Sequence, residues 1–255
     1  MAGEKNIIKS YLFNTQLSDV TQDPFYASHP VWTIPFGQLN ISAFQVAQWI
    51  GLNTVYVIDA RNNNFYFQEI NGSGPILDAI VVPGNYTIYN FAAALQTAMN
   101  SAVGVTGVYT ITIPTTSPTF GTAVIINSTV AFVALAEGNA NMSYETGFTY
   151  PSTTFATLQQ SNSPLDLSGL KAINIVSSNL GSNASYTPGS YFSVITTIPV
   201  QTPFGGVIDY INSNNNFKAS PVSSLQNFEC ILYDDRMRKL ILDNDWSLVL
   251  NLLIA

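Results

Sequence analysis

Charged residues are scarce in this chain. Lys, Arg, Asp and Glu make up 9% of its 255 residues, whereas an ordinary soluble domain has about 25%. Only eight residues are Lys or Arg, and the formal net charge is −7. Nucleic-acid binding needs a clustered basic face that displaces counterions from phosphates. The one basic cluster, 236–239, directly follows Asp234 and Asp235 and is interpreted as a locally balanced loop, so the composition argues against a nucleic-acid partner.

Histidine and cysteine are nearly absent as well. His29 is the single histidine, and Cys230 is the single cysteine. This count rules out an intrachain disulfide and a cysteine zinc site. A Ser/His/Asp or Cys/His catalytic site would have to use His29, which precedes Pro30 in an irregular segment. We therefore predict no catalytic residue, no cofactor and no metal site, and we interpret Cys230 as a small buried hydrophobe.

Paired acids occur only near the end of the chain. Asp234 stands beside Asp235, and Asp243 lies two residues from Asp245. Two carboxylates can hydrolyse glycosides, and several oxygen ligands can bind calcium. The spacing does not match an EF-hand, and Asp is also a frequent turn residue. A turn is the favoured interpretation, with calcium binding left open; no Gly-Lys-Ser/Thr phosphate loop is present.

Long apolar runs are missing too. No stretch is long enough to span a bilayer, and the first ten residues contain no secretory apolar core. We expect a protein that is made and folded in a cytosol-like compartment, without direct membrane insertion.

Short β-type runs are abundant, and turn residues separate them. Asn, Thr, Ser and Gln supply the polarity of these runs and loops, and such groups cost less to desolvate than ions. Residues 55–59 and 65–70, around Asn62-Asn63-Asn64, are typical of a β-hairpin. The pattern predicts an all-β protein: a single jelly roll, that is an antiparallel β-sandwich, with one short helix and long loops. We assign residues 1–28 to an N-terminal arm and 29–255 to one domain, in which 137–169 is a possible loop insertion.

One segment has helical rather than strand periodicity. Thr87 is a plausible N-cap, and residues 92–94 are three alanines with strong helix propensity. Phe91, Leu95 and Met99 follow one another at intervals of four, which places them on one helix face. The segment predicts a helix that ends near Asn100 and packs on the sandwich through these three side chains.

The most apolar segment lies at the C-terminus. Trp246 opens a strand, and residues 248–254 are nearly continuous in apolar side chains. Such a run is usually covered on both faces, by the core or by a partner. Trp246, Leu248, Leu250 and Leu252 are therefore candidates for packing and for an interface.

Several motifs together resemble a family of viral proteins. They are NTVYVI at 53–58, NFYFQE at 64–69, VVPGNYT at 81–87 before the helix, and in the C-terminal part the runs 173–180, 193–200 and 204–208 with a last strand after an Asp-rich turn. The chain resembles the penton and minor capsid proteins of virophages, polinton-like viruses and related large DNA viruses of eukaryotes. The resemblance covers about residues 50–100 and 170–255, and none of its motifs carries a catalytic group.

The resemblance implies a structural role without bond chemistry. Members of that family are single jelly rolls, and the penton members form rings of five at icosahedral vertices. It implies a homopentamer that meets the major capsid protein and other minor capsid proteins in the virion, after synthesis in the host cytoplasm or a virus factory. Closed rings of this kind use heterologous contacts with a fixed rotation.

Three alternatives stay open from the sequence. The nearest is a minor or cement capsid protein, or a subunit of a larger capsomer. A carbohydrate- or receptor-binding sandwich is suggested by the polar loops and by aromatics such as Trp32 and Trp49, although aromatics in strands are more often core residues. A glycosidase is the last alternative and would need two acids that converge in a cleft.

Overall fold

The computed structural model describes residues 7–14, 31–69, 74–114, 123–136, 138, 141–150, 154–177, 180, 185–187, 190–214, 216–219, 224–240, 242 and 244–254. Its strands are β1 (Ile7–Asn14), β2 (Val31–Leu39), β3 (Ile41–Leu52), β4 (Asn64–Glu69), β5 (Ile76–Ile80), β6 (Tyr109–Thr112), β7 (Ile125–Leu135), β8 (Ala156–Gln160), β9 (Ala172–Ser177), β10 (Ser185–Thr187), β11 (Ser190–Pro199), β12 (Val207–Ile211), β13 (Lys218–Ala219), β14 (Ser224–Glu229), β15 (Ile231–Asp234) and β16 (Ser247–Ile254). Its helices are α1 (Ile88–Asn100) and α2 (Ser143–Thr146). Neither described helix has the length and apolar character that a bilayer crossing requires.

The chain forms two compact units. Unit 1 comprises residues 1–55 and 170–255, and unit 2 comprises residues 56–169. Each unit has its own cluster of buried apolar side chains. This division differs from the expected single domain 29–255, and the inserted segment is much longer than the expected 137–169.

Unit 1 is built from two antiparallel sheets around one core. In the first sheet the order is β1-β16-β3-β12, with β13 also paired to β3. The second combines the order β10-β11-β9-β15 with the pair β14-β2, because Cys230 alone separates β14 from β15. Buried side chains from both sheets, such as Leu250 and Ile175, belong to one cluster.

The order of these strands defines the fold. Eight main strands follow in chain order: β1, β2, β3, β9, β11, β12, β14 continued by β15, and β16. Numbered one to eight, they form sheets in the orders 1-8-3-6 and 2-7-4-5. Two interlocked Greek keys of this kind make a jelly roll. The predicted all-β jelly-roll fold is confirmed, with unit 2 inserted in the chain between its third and fourth strands.

Strand β1 lies in the segment that was expected to be an N-terminal arm. All eight of its residues pair with β16, from Ile7 opposite Ile254 to Asn14 opposite Ser247. Only Phe13 is fully buried, because β1 is the outermost strand of its sheet. An edge strand with a single buried side chain has too weak an alternation to be predicted from sequence. Residues 15–28, the rest of the expected arm, lie outside the described residues.

Unit 2 combines one sheet with α1. The sheet has the order β5-β4-β7-β6, and β8 also pairs with β7. The predicted helix is confirmed: α1 runs from Ile88 to Asn100, and Thr87 forms a capping box with Asn90. The second helix, α2, and strand β8 both fall within 137–169, where loop was expected, because Gly and Pro residues break this segment into elements of only four and five residues.

A buried carboxylate joins two parts of unit 2. Glu69 ends β4 and is 3% exposed. Its carboxylate accepts hydrogen bonds from the Thr106 amide and hydroxyl at 3.0 and 2.6 Å, from the Gly107 amide at 3.0 Å, and from the Tyr109 hydroxyl at 2.7 Å. These bonds fix the turn that connects α1 to β6.

Candidate interaction surface

The first sheet of unit 1 presents an outer face that is built mainly from apolar and amide side chains. Along β16, Leu248, Leu250 and Leu252 point into the core and are fully buried. The residues between them point outward, since successive side chains of a strand alternate between faces. Cross-strand pairs share a face, so the register assigns the outward residues of the neighbouring strands as well.

Exposed aliphatic side chains occur on three strands of this face. On β1, Ile8 and Leu12 are opposite Leu253 and Val249, and Leu12 is 70% exposed. Three more exposed residues lie on the other side of β16: Ile50 of β3, and Val207 and Ile211 of β12. We call the outward side chains of β1, β16, β3 and β12 the outer face of sheet 1.

Polar side chains on this face form hydrogen bonds with one another. Ser10 Oγ donates to Asn251 Oδ1 at 2.8 Å, and Gln48 Nε2 donates to Asp209 Oδ1 at 3.2 Å. Among the outward residues of these four strands, within the part of the chain that the structure describes, only Asp209 is charged. Such a surface costs less to desolvate than a charged one, because aliphatic groups gain free energy on leaving water and hydrogen-bonded amides lose less than ions do.

A shallow groove of about 200 Å³ lies at one end of the outer face of sheet 1. Asn14, Ile50, Val207 and Trp246 are among the residues that line it. Its position at the ends of β1, β3 and β12 makes it continuous with the apolar face.

The opposite side of the sandwich has a polar face that includes one charged residue, Lys239, opposite Tyr233. On the second sheet, Thr197 of β11 and Tyr233 of β15 flank Asn174 of β9. Thr197 Oγ1 donates to Asn174 Oδ1 at 2.7 Å, and Asn174 Nδ2 donates to the Asp234 carbonyl at 2.9 Å. The jelly roll therefore offers an apolar face on one side and a hydroxyl- and amide-rich face on the other.

Comparison with known proteins gives structural similarity only. No family model and no curated protein matches the chain.

Two virophage proteins are among the solved structures that are similar to it. The mavirus penton protein matches 98% of this chain and 100% of its own, with 12% identity and a TM-score of 0.45. A chain of the Sputnik virophage, solved by cryo-EM, matches 96% of this chain and 97% of its own, with 10% identity and a TM-score of 0.39.

The seven residues predicted for packing or an interface all lie inside the two cores. Phe91, Leu95 and Met99 are fully buried in unit 2, where α1 packs on the sheet of its own unit. The other four belong to the core of unit 1: Trp246, Leu248, Leu250 and Leu252. Since none of the seven is more than 4% exposed, a partner would contact their outward neighbours, Val249 and Leu253.

Sequence reasoning missed the exposed aliphatics at the two edges of sheet 1. In β12, the alternation of Val207, Asp209 and Ile211 with buried Ile208 is a usable signal. It shows a strand with apolar residues on both faces, which is the pattern of a strand covered on both sides. In β1 the corresponding signal is absent, because Lys9 and Ser10 interrupt the apolar residues.

One acid of the two pairs, Asp234, and the single cysteine lie in the interior of unit 1. Asp234 is buried and accepts from the amides of Arg236 and Arg238 at 2.9 and 2.8 Å and from Arg238 Nε at 2.7 Å. This is the predicted turn. Burial, with a smaller contribution from Glu229, raises the pKa of the Cys230 thiol well above its usual range. Asp243 and His29 lie outside the described residues.

No metal centre can be assembled from the residues that the structure covers, since no group of three His, Cys, Asp or Glu side chains comes together there.

Proposed function

We propose that this chain is a structural protein of a viral capsid, a penton-like subunit that assembles as a ring of five at an icosahedral vertex. The observation that carries the proposal is the outer face of sheet 1: exposed aliphatics on β1, β3 and β12 with a single carboxylate, on a jelly roll. Exposed apolar faces of this kind mark protein–protein interaction sites in soluble proteins. The sequence motifs that resemble capsid proteins support the same assignment.

A ring requires two different faces on each subunit. Heterologous contacts place one face of a subunit against another face of the next, and they close if the rotation fits. The jelly roll has such a pair: the aliphatic outer face of sheet 1 and the polar face around Asn174, which also carries Lys239, on opposite sides of the sandwich. We propose that the first packs on the second of the neighbouring subunit, with no bond chemistry.

The remaining partners follow from this role. The ring would meet the major capsid protein and other minor capsid proteins at its rim and reside in the virion. A net charge of −7 with eight basic residues disfavours contact with the genome.

Native mass spectrometry of the purified chain at near-physiological salt tests the ring. The matched variants are Leu12→Lys, on the outer face of sheet 1, and Val103→Lys, at a fully exposed position of unit 2. We expect a pentamer for the wild type and for Val103→Lys, and monomers for Leu12→Lys, because a buried unpaired ammonium group is strongly unfavourable at an interface.

Other masses would change the assignment. A trimer would indicate a capsomer subunit and would exclude the vertex ring. A monomer that joins only preformed shells would indicate a minor or cement protein. A monomer that binds on a glycan array would indicate the carbohydrate-binding alternative.

A further inference from the structure

The strand β5 forms an outer edge of the sheet in unit 2. It pairs with β4 on one side, and no other strand in the described part of the chain pairs with it. The Val81 amide donates to the Asn63 carbonyl at 2.9 Å, so residues 63 and 81 form a hydrogen-bonded pair. Hydrogen-bonded and non-hydrogen-bonded pairs alternate in antiparallel sheets. The backbone N–H and C=O groups of Ile76, Asp78 and Ile80 therefore point away from β4, toward the open edge.

Apart from the charge of Asp78, this edge lacks the usual protection against strand pairing. Ile76, Ile80 and the following Val82 are 62%, 59% and 72% exposed. Native proteins block open edges with lysine, proline or bulges, and residues 76–80 contain none of these. Pro75 and Pro83 stand on either side and limit the open edge to about seven residues.

A groove accompanies the open edge. It has a volume of about 420 Å³ and lies between β5 and α1. Ile80, Val82 and Tyr86 line one side, and the other side consists of small residues of α1 and its C-cap: Ala93, Ala94, Thr97, Ala98 and Ser101. An edge strand beside a helix with small side chains leaves room for an extended backbone, as in recognition by strand addition.

Asp78 determines which kind of strand can fill the site. It is the only charged residue of β5 and stands at its centre. If a second copy of β5 paired antiparallel with all five residues aligned, the two Asp78 side chains would face each other, and like charges directly opposite are destabilising. Burial already raises the pKa of Asp78, so a second carboxylate beside it would be poorly solvated. The charge therefore favours a cationic partner residue over a second copy.

We propose that the open edge of β5 binds an extended segment of a different protein, with aliphatic residues on either side of a lysine or arginine that faces Asp78. The segment adds a strand to the sheet of unit 2, and its backbone bonds to residues 76, 78 and 80. This inference concerns unit 2 alone and does not depend on the proposed function.

Fluorescence anisotropy with a labelled synthetic peptide, Thr-Val-Thr-Lys-Thr-Val-Thr, tests the site. Two further peptides share its length: one with Glu in place of Lys, and one N-methylated on the amides that would bond to β5. We expect the Lys peptide to bind wild type, the Glu peptide to bind at least about tenfold more weakly because two carboxylates would meet, and the N-methylated peptide not to bind. Asp78→Asn should weaken the Lys peptide about two- to fivefold, as expected for a partly exposed ion pair.

Two protein variants locate the binding. Ile80→Lys places an edge lysine on β5 and should abolish binding, whereas Val103→Lys adds the same charge elsewhere in unit 2 and should not change it; thermal melts of both establish folding. Equal binding of the N-methylated peptide, or no binding of the Lys peptide up to about 1 mM, would overturn the proposal. A wild-type dimer that Ile80→Lys dissociates would assign the edge to a second copy and would also overturn it.

Discussion

Replacing Glu69 with Gln should destabilise unit 2 far more than unit 1. One carboxylate oxygen accepts from the Thr106 amide and hydroxyl, and the other accepts from the Gly107 amide and the Tyr109 hydroxyl. A carboxamide has one oxygen, so its NH2 group must face one of the backbone amides in either orientation. A buried donor without an acceptor costs about 1–3 kcal/mol, and the bonds that remain lose the strength of an ionised acceptor. We expect the free energy of unfolding of unit 2 to decrease by about 3–5 kcal/mol in total.

Tyr109→Phe provides a graded comparison. It removes one of the four donors and leaves the charge in place, so it should cost about 2 kcal/mol, the value of one hydrogen bond to a charged group. Burial and the hydrogen bond to Glu69 raise the pKa of Tyr109 well above its usual range, so the phenol remains a donor at all ordinary pH values.

Hydrogen exchange measured by mass spectrometry can separate the two units. Exchange through local opening follows the local free energy, so 3–5 kcal/mol corresponds to an increase in rate of about 10²- to 4 × 10³-fold in β4 and β6. Peptides from β3 and β16 serve as internal controls in unit 1. Tryptophan fluorescence is a poor substitute, because Trp32, Trp49 and Trp246 all belong to unit 1.

The same carboxylate predicts a pH dependence. Burial by itself raises the pKa of Glu69, but the hydrogen bonds from Thr106, Tyr109 and Gly107 outweigh it, and the net pKa is lowered. A lowered pKa means that the stabilisation is complete above the pKa of the unfolded state and is lost as the pH falls through the folded value. Protection of β4 and β6 should therefore decrease at acidic pH in wild type and less steeply in Glu69→Gln. The reasoning is refuted if Glu69→Gln exchanges no faster than Tyr109→Phe at neutral pH.

Three further predictions concern single residues. Gly147→Ala should lower the free energy of unfolding by about 3 kcal/mol, since φ of Gly147 is +79° and a Cβ there would lie 2.1 Å from the Ser163 carbonyl oxygen. Gly205→Ala should lower it by only about 1 kcal/mol, because Gly205 has a similar φ of +81° but no atom within 4 Å of the added Cβ. Equal losses in urea unfolding would contradict the steric argument. Cys230 should react with a thiol reagent only as fast as the protein unfolds, because it is fully buried with a raised pKa; rapid labelling of the folded protein would contradict its placement. Thr87→Ala should lower the free energy of unfolding by about 1 kcal/mol through loss of the N-cap, whereas Thr87→Ser should keep it, and circular dichroism melts can compare the two.

Local chemistry made several features predictable from the sequence. Helix α1 was predicted with its cap and its buried face, because capping and the four-residue period depend on side chains close in the chain. The strand-rich class was predictable for a similar reason: alternation and turn residues act within a few positions. The turn at 234–238 was also predictable, since Asp234 bonds to amides only two and four residues away.

The β-hairpin predicted for residues 55–59 and 65–70 was wrong. Residues 55–59 do not pair with β4; Asn62 instead accepts from the Asp59 amide at 2.8 Å and donates to the Val57 carbonyl at 2.9 Å. The side-chain amide of Asn62 makes hydrogen bonds to the backbone of this segment, and such bonds compete with the backbone pairing of a β-hairpin. Strand β4 pairs with β5 and β7.

The sequence by itself determined the β-rich class, the capped helix, the scarcity of charge and the apolar character of the last strand. Only the tertiary structure decided that Ile7–Asn14 joins Ser247–Ile254, that the insertion spans 56–169, and that aliphatic residues at both edges of sheet 1 form one face. The physical reason is that strand partners are joined by backbone hydrogen bonds, which are the same for every residue pair and carry no sequence signal. Pairing across some 240 positions is set by the packing of the whole core, so the surfaces that it assembles become visible only in the fold.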